Sequence, residues 1–147
     1  MTIIYVVEDD YLQLEYVCRI LQDEFGPDVE VRSIRTESEF WRRFEEIASA
    51  QPACVVLDIL IQWAEAAVSN ESRGPGSFRT AGLRCQKKLS EDARTKNISV
   101  IFYTVLDRSD VLDFPREVHY LRKDVPDERF LALVRTLVTT GRHGNII

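Results

Sequence analysis

Short, unbroken runs of apolar residues constrain the fold of this chain more than any other feature. Three of them stand out, at Ile3 to Val7, Cys54 to Leu57 and Ile98 to Tyr103. Runs without polar alternation are typical of parallel strands that are covered on both faces. Two mixed runs, Val29 to Val31 and Val118 to Leu121, predict strands at the two edges of the same sheet. The sequence therefore predicts five parallel strands.

The segments between these runs have the 3.6-residue period of helices. After the first run, apolar residues recur at spacings of three and four, at Leu14, Val17, Cys18, Leu21 and Phe25. Gly26-Pro27 is a signal that ends this helix. The residues from Thr36 to Glu39 have the pattern of a capping box, which predicts a helix whose buried stripe is Phe40, Phe44 and Ile47.

Two further helices complete the alternation. One is predicted from Thr80 to Leu89, with Leu83 and Leu89 facing the core. The last begins near Pro126-Asp127, ends at Gly141 and has an apolar face made of Phe130, Leu133, Val134 and Leu137. Strands and helices in alternation predict one doubly wound α/β domain over residues 1–147, with any ligand at the carboxyl ends of the strands.

Composition and charge narrow the range of functions. The formal net charge is −5, and because an acidic chain repels phosphate backbones, we expect no direct nucleic-acid binding. The nearest approach to a basic cluster, Arg84 with Lys87 and Lys88, is expected to form one solvated helix face. No apolar run approaches the roughly 20 residues that cross a bilayer. The three cysteines lack CxxC spacing, which favours a reducing, cytoplasmic location.

Polar residues stand directly after four of the predicted strands. Glu8 and Asp9 follow the first strand, Asp58 the third, Thr104 the fourth and Lys123 the last. Taken alone, an acid after a strand is more often a helix cap than a catalytic residue, and Thr104 alone could satisfy backbone groups. Four such positions on one edge of a sheet are hard to explain in that way. The sequence therefore predicts a site at this edge.

The residue types at this edge predict phosphoryl chemistry. Converging carboxylates repel one another unless a cation lies among them, and Mg²⁺ is the hard cation that suits oxygen ligands. Beside Asp58, such a cation would offset the charge of an incoming phosphoryl group. Lys123 adds a second positive charge, and Thr104 adds a hydrogen-bond donor. These groups suffice to form an aspartyl phosphate.

In this order, the residues resemble the response-regulator receiver domains of two-component signalling. The resemblance covers nearly the whole chain and rests on four motifs, Val6-Val7-Glu8-Asp9-Asp10, Val55-Val56-Leu57-Asp58, Val100-Ile101-Phe102-Tyr103-Thr104 and Tyr120-Leu121-Arg122-Lys123. Each motif alone is weak, whereas the ordered set is strong.

The resemblance implies a fold, a chemistry and a set of site residues. The fold is flavodoxin-like, with strand order 2-1-3-4-5. Asp58 is the phosphoacceptor, assisted by Lys123 and by the switch hydroxyl of Thr104, and Tyr120 is the rotating aromatic residue. The ligands of Mg²⁺ are the side chains of Glu8, Asp9 and Asp58 and the backbone carbonyl of Leu60.

The resemblance also implies partners. The phosphoryl donor is a histidine kinase or a phosphotransfer protein, and the output is binding to an unidentified downstream protein. The domain is expected to act alone, with no turnover beyond slow self-phosphorylation and self-dephosphorylation. The oligomeric state stays open between a monomer and a homodimer.

Several positions depart from the pattern of receiver domains. An insertion of ~15 residues, at about 61–78, precedes the glycine that matches the family's, Gly82, and a lid, a docking loop and a segment without a specific role all stay open for it. The residue after the switch threonine, normally small, is Val105, and Asp124 replaces the proline that normally follows the lysine in a cis peptide. The segment from Asp107 to Arg116, where a fourth helix is expected, contains Pro115, which predicts one or two turns or an irregular segment.

Two other functions compete with phosphoryl acceptance. The departures are also consistent with a pseudo-receiver that acts as a phosphorylation-independent interaction module. An aspartate-nucleophile phosphatase is disfavoured because it needs a second aspartate two residues after the nucleophile, where this chain has Leu60. No glycine-rich loop follows the first strand, which disfavours a nucleotide-binding enzyme.

Overall fold

Strands and helices alternate along the chain as predicted. The computed structural model describes residues 1–64, 76–111, 114–115 and 118–144. The strands within these ranges are β1 (Thr2–Val7), β2 (Val29–Ile34), β3 (Cys54–Leu57), β4 (Ser99–Thr104) and β5 (His119–Arg122). The α-helices are α1 (Tyr11–Phe25), α2 (Glu37–Arg42), α3 (Phe44–Ala50), α4 (Ala81–Glu91) and α5 (Asp127–Gly144).

The five strands form one parallel sheet. Its order is β2-β1-β3-β4-β5, and every neighbouring pair is parallel. The predicted flavodoxin-like order is confirmed, and β2 and β5 lie at the edges as their mixed sequences indicated. Because all strands run in the same direction, their carboxyl ends meet at one edge of the sheet. All the predicted site residues after the strands therefore stand on the same side.

Helices cover both faces of the sheet. On one face, Ile4 and Val6 of β1 pack in the core cluster that contains Val17 of α1 and Phe130 of α5. On the other face, Tyr5 and Val7 belong to a second cluster, with members from the remaining helices such as Phe40, Ile47 and Leu89. Successive side chains of a strand point to opposite faces, so burial on both sides requires the continuous apolar runs that the sequence shows.

The helix predicted to start at Thr36 is divided in two. The Thr36 hydroxyl accepts a hydrogen bond from the backbone N–H of Glu39 at 3.1 Å, as a capping box requires. The helix is interrupted at Arg43, which has φ −98° and ψ 9°, outside regular helical geometry. Helical backbone hydrogen bonds nevertheless span the break. The N–H of Arg43 donates to the carbonyl of Glu39, and the N–H of Ile47 donates to the carbonyl of Arg43. The predicted stripe is therefore buried despite the break.

The end of α5 and the segment from Asp107 to Arg116 test two predictions about helix extent. Helix α5 does not end at Gly141 but continues to Gly144. Glycine costs a helix only about 1 kcal/mol relative to alanine, so one glycine is a weak stop signal. In the segment from Asp107 to Arg116, the described residues form a 3₁₀ turn at Arg108–Asp110 and no α-helix, as predicted.

Most of the predicted insertion, residues 65–75, lies outside the described residues. Its flanks are described on both sides, and the backbone N–H of Ile61 donates to the carbonyl of Phe78 at 3.2 Å. None of the described helices has the length and apolar character that a bilayer crossing requires.

The cap at Thr36 provides a test of how α2 begins. We expect Thr36→Ala to lower the free energy of unfolding by about 1 kcal/mol, because the Glu39 N–H loses its acceptor. Thr139→Ala, at an exposed position of α5, is the matched control and should leave stability unchanged or slightly higher. Urea unfolding followed by circular dichroism measures both, and equal effects in the two variants would contradict the role of the cap.

Candidate functional site

The backbone ladder of the sheet extends into the residues of the predicted site. The N–H of Glu8 donates to the carbonyl of Ile34 at 3.0 Å, and that of Asp58 to Val7 at 3.1 Å. These bonds continue the parallel pairing by one residue beyond β1 and β3. The positions of Glu8 and Asp58 are therefore fixed by the sheet itself.

Asp58 is a buried carboxylate with both oxygens in hydrogen bonds. It is only 5% exposed. Its Oδ1 accepts from the backbone N–H of Leu60 at 3.2 Å. Its Oδ2 accepts from Nζ of Lys123 at 2.7 Å. A buried charge of this kind is tolerated when it is paired and hydrogen-bonded.

Lys123 joins the two acidic residues of the site. Its backbone N–H donates to the carbonyl of Thr104 at 2.8 Å, which holds it beside the end of β4. Its Nζ bonds to Glu8 as well as to Asp58. One ammonium group therefore bridges the carboxylates that follow β1 and β3.

The electrostatics of this group follow from burial and from like charges. Burial raises the pKa of Glu8 to about 7, and the nearby charge of Asp58 adds to the rise, while Lys123 opposes it. Burial lowers the pKa of Lys123, but the two carboxylates outweigh that effect and hold it above its usual value. The ammonium therefore stays charged at neutral pH and stabilises both acids.

The acidic residues next to Glu8 have separate partners. Asp9 Oδ2 accepts from the backbone N–H of Gln62 at 2.9 Å. Asp10 caps α1 through a hydrogen bond from Gln13 N–H to its Oδ1, at 3.1 Å. The structure thus brings Glu8 and Asp58 together through Lys123, whereas the Asp9 carboxylate is directed to the segment after β3. In the part of the chain that the structure describes, no three His, Cys, Asp or Glu side chains converge as a metal-binding group.

The residues nevertheless suit a divalent cation in donor type and in charge. Glu8, Asp9, Asp58 and the Leu60 carbonyl all offer oxygen, which Mg²⁺ and Mn²⁺ prefer. With all three carboxylates ionised, the one ammonium leaves a net charge of −2. The nearby charge of Asp58 adds to the rise that burial causes in the pKa of Glu8.

Gly82 fixes the backbone of Asp58. A Cβ atom at Gly82 would lie 2.1 Å from the carbonyl oxygen of Asp58 and 2.6 Å from Cα of Ile59. The N–H of Gly82 donates to the Ile59 carbonyl at 2.9 Å. The first turn of α4 therefore packs directly on the main chain of Asp58, which only glycine permits.

Thr104 and Tyr120 meet at the loop after β4. Thr104 is fully buried, and the N–H of Leu106 approaches its Oγ1 at 3.5 Å. The hydroxyl of Tyr120 donates to the carbonyl of Leu106. The ring of Tyr120 also packs edge-on against Phe114, at 5.2 Å between centroids. Leu106 therefore links the predicted switch hydroxyl to the predicted rotating aromatic residue.

The two atypical neighbours of the site face solvent. Val105 is 60% exposed, so its side chain is not packed into the site. Asp124 is exposed and forms a salt bridge with Arg122 at 3.2 Å. Neither residue contacts Asp58 among the hydrogen bonds and ion pairs that the described residues make.

The expectation that Arg84 lies on a solvated basic face was wrong. Arg84 does not join Lys87 and Lys88 on a solvated face but forms a salt bridge with Glu37 at 2.6 Å. Glu37 is fully buried. No local pattern predicts this pair, since an acid at a helix start and basic residues on another helix are typical of exposed positions.

Solved structures similar to this chain are consistently receiver domains. A signal receiver domain of a two-component histidine kinase from Clostridium thermocellum has a TM-score of 0.69 and 19% identity, covering 93% of this chain and 97% of its own. The chain has a receiver fold. The response regulator TrrA from Thermotoga maritima, in complex with Mg²⁺ and BeF, shares this fold with a TM-score of 0.67 and 22% identity, covering 93% and 99%. The Mn²⁺-bound response regulator Rcp1 also shares the receiver fold, with a TM-score of 0.63 and 15% identity over 93% and 91%. No protein-family model and no curated protein matches the sequence.

The contact at Gly82 provides a test of how the site is held. We expect Gly82→Ala to lower the free energy of unfolding by about 1–3 kcal/mol, because the new methyl group meets rigid backbone of Asp58 and Ile59. Thr139→Ala, at an exposed position of α5, again serves as the control and should leave stability nearly unchanged. Thermal unfolding measures both, and a Gly82→Ala protein as stable as the control would contradict the close packing.

Proposed function

We propose that this chain is a phosphoryl-accepting receiver of a two-component system or phosphorelay, with Asp58 as the acceptor. The observation that carries the proposal is the buried Asp58 carboxylate, paired with Lys123 at 2.7 Å at the carboxyl edge of the sheet. A structural ion pair explains one such contact equally well. It does not explain why a second acid, Glu8, shares the same ammonium group.

The chemistry follows from the contacts of Asp58. A carboxylate oxygen attacks the phosphorus of a phosphohistidine, the new P–O bond forms, and the P–N bond breaks with its electron pair left on the imidazole nitrogen. The ammonium of Lys123 offsets negative charge on the acceptor, and the N–H of Leu60 holds the other oxygen. The hydroxyl of Thr104 is the proposed hydrogen-bond donor to the phosphoryl oxygens.

The same edge would hold the divalent cation that this chemistry needs. Glu8, Asp9, Asp58 and the backbone carbonyl of Leu60 are the proposed ligands. When bound, Mg²⁺ would lower the repulsion between the phosphoryl oxygens and the carboxylates. The Mg²⁺ and Mn²⁺ complexes of similar receiver domains support this choice of metal.

The proposal assigns the chain a place between two proteins. The donor is a histidine kinase or a phosphotransfer protein, and the output is binding to a downstream protein. The contacts of Leu106 with Thr104 and Tyr120 support a change in the loop after β4 as the signal. Turnover is limited to slow self-phosphorylation and self-dephosphorylation.

Acceptance at Asp58 is tested by labelling. With acetyl phosphate and Mg²⁺, the wild-type chain should gain one phosphoryl group, and Asp58→Asn should gain none, because the amide lacks the nucleophilic carboxylate. The matched control is Asp23→Asn at an exposed position of α1, which should label like the wild type. Phosphate-affinity electrophoresis and mass spectrometry of the intact protein measure the product. A folded wild type that stays unlabelled under conditions that label a control receiver would instead favour the phosphorylation-independent interaction module.

Metal binding is tested by its effect on stability. A ligand that binds only the folded state at 100 times its dissociation constant stabilises that state by about 2.7 kcal/mol, so Mg²⁺ should raise the melting temperature. Asp9→Asn should reduce this rise because it removes a charged ligand. Asp10→Asn is the control, since asparagine caps α1 as well as aspartate does. Equal responses of the two variants to Mg²⁺ would exclude Asp9 from the site.

A further inference from the structure

A third buried carboxylate lies beside the acceptor site. Glu37, in the first turn of α2, is fully buried. Its Oε1 accepts from Nη2 of Arg84 at 2.6 Å, and its Oε2 accepts from Nε of the same guanidinium at 2.9 Å. The indole N–H of Trp41 donates to Oε2 at 3.1 Å. Stability is a weak reason for such a pair, because its desolvation cost often cancels its attraction.

The Glu37–Arg84 pair joins α2 and α4, the two helices that hold the segment 59–63 after Asp58. At one end of this segment, the N–H of Gly82 in α4 donates to the carbonyl of Ile59 at 2.9 Å. At the other end, the N–H groups of Glu37 and Ser38 in α2 donate to the carbonyls of Gln62 and Trp63 at 2.9 and 2.8 Å. The Glu37–Arg84 contact therefore fixes the distance between the two anchors of the segment.

The anchored segment in turn holds Asp9. The N–H of Gln62 donates to Asp9 Oδ2 at 2.9 Å, while the carbonyl of the same residue accepts from Glu37. A displacement of α2 against α4 would therefore move the donor that orients the Asp9 carboxylate. Hydrogen bonds to a ligating carboxylate commonly change metal affinity by about 10–100-fold.

We propose that Glu37 and Arg84 are positioning residues that orient the Asp9 carboxylate and thereby set the affinity of the acceptor site for a divalent cation. This inference rests on the proposed function, because it assumes that a cation binds at Asp9. It adds a regulatory consequence, since any partner that moves α2 against α4 would change the readiness of the site for phosphorylation.

The test measures Mg²⁺ affinity in variants of the full chain. Glu37→Gln leaves the half-buried Arg84 without its charged partner, and Arg84→Met leaves the buried Glu37 without its partner, so both variants are expected to lose stability. The double variant Glu37→Gln/Arg84→Met restores neutrality and should recover much of that stability. We expect all folded variants to bind Mg²⁺ about tenfold more weakly than the wild type. Val134→Ala, in the core on the opposite face of the sheet, controls for lowered stability and should keep the wild-type affinity.

A second readout needs no variant. Coupling is reciprocal, so if the α2 contacts favour metal binding, Mg²⁺ must strengthen those contacts. Hydrogen exchange by NMR should show that Mg²⁺ slows the Glu37 and Ser38 amides of the wild type about tenfold. The Lys96 amide, which donates to the Asp92 carbonyl at 2.9 Å away from the segment, serves as the reference.

The outcomes separate the two proposals. If the wild type binds no Mg²⁺, the proposed function fails and this inference fails with it. If the wild type binds Mg²⁺ and the folded double variant binds it equally well, only the positioning role is overturned. Exchange at Glu37 and Ser38 that Mg²⁺ leaves unchanged relative to Lys96 overturns it as well, even if the variants do not fold.

Discussion

A single residue, Lys123, joins the ends of three strands at the carboxyl edge of this sheet. Lys123, held by its backbone beside the end of β4, bonds to carboxylates that follow β1 and β3. Without it, two buried acids would face each other without compensation, and one of them would have to be protonated. The contact that makes these buried charges compatible with folding thus also holds in place the carboxylates that we propose as cation ligands and phosphoryl acceptor.

The sequence was sufficient to predict the fold and the edge of the sheet at which the candidate site residues lie. Continuous apolar runs report burial on both faces, and a parallel sheet then places Glu8, Asp58 and Lys123 on one edge without further information. Contacts between side chains were harder to predict. Glu37 and Arg84 are 47 residues apart, and neither position carries a local pattern that distinguishes a buried pair from two exposed charges. The direction of the Asp9 carboxylate likewise depends on where the Gln62 N–H lies after folding.

The atypical residues Val105 and Asp124 lie apart from Asp58 at the carboxyl edge of the sheet. Val105 and Asp124 are exposed, and a 3₁₀ turn stands where a fourth helix was in question. Leu106 nevertheless joins Thr104 to Tyr120, and Phe114 packs on the tyrosine ring. The unusual residues therefore change the surface presented after β4 more than they change the surroundings of Asp58.

The closed flanks of the segment after β3 have a consequence for how this chain tolerates change in length. Ile61 bonds to Phe78, and the Trp63 carbonyl bonds to Ser38, so the stem on either side of residues 65–75 is tied independently of what lies between. In general, doubling the length of a segment between two fixed ends costs only about 0.6 kcal/mol in closure entropy. The tied stem is therefore a point at which a peptide tag or a small reporter domain could be inserted while α4 keeps its packing on the backbone of Asp58.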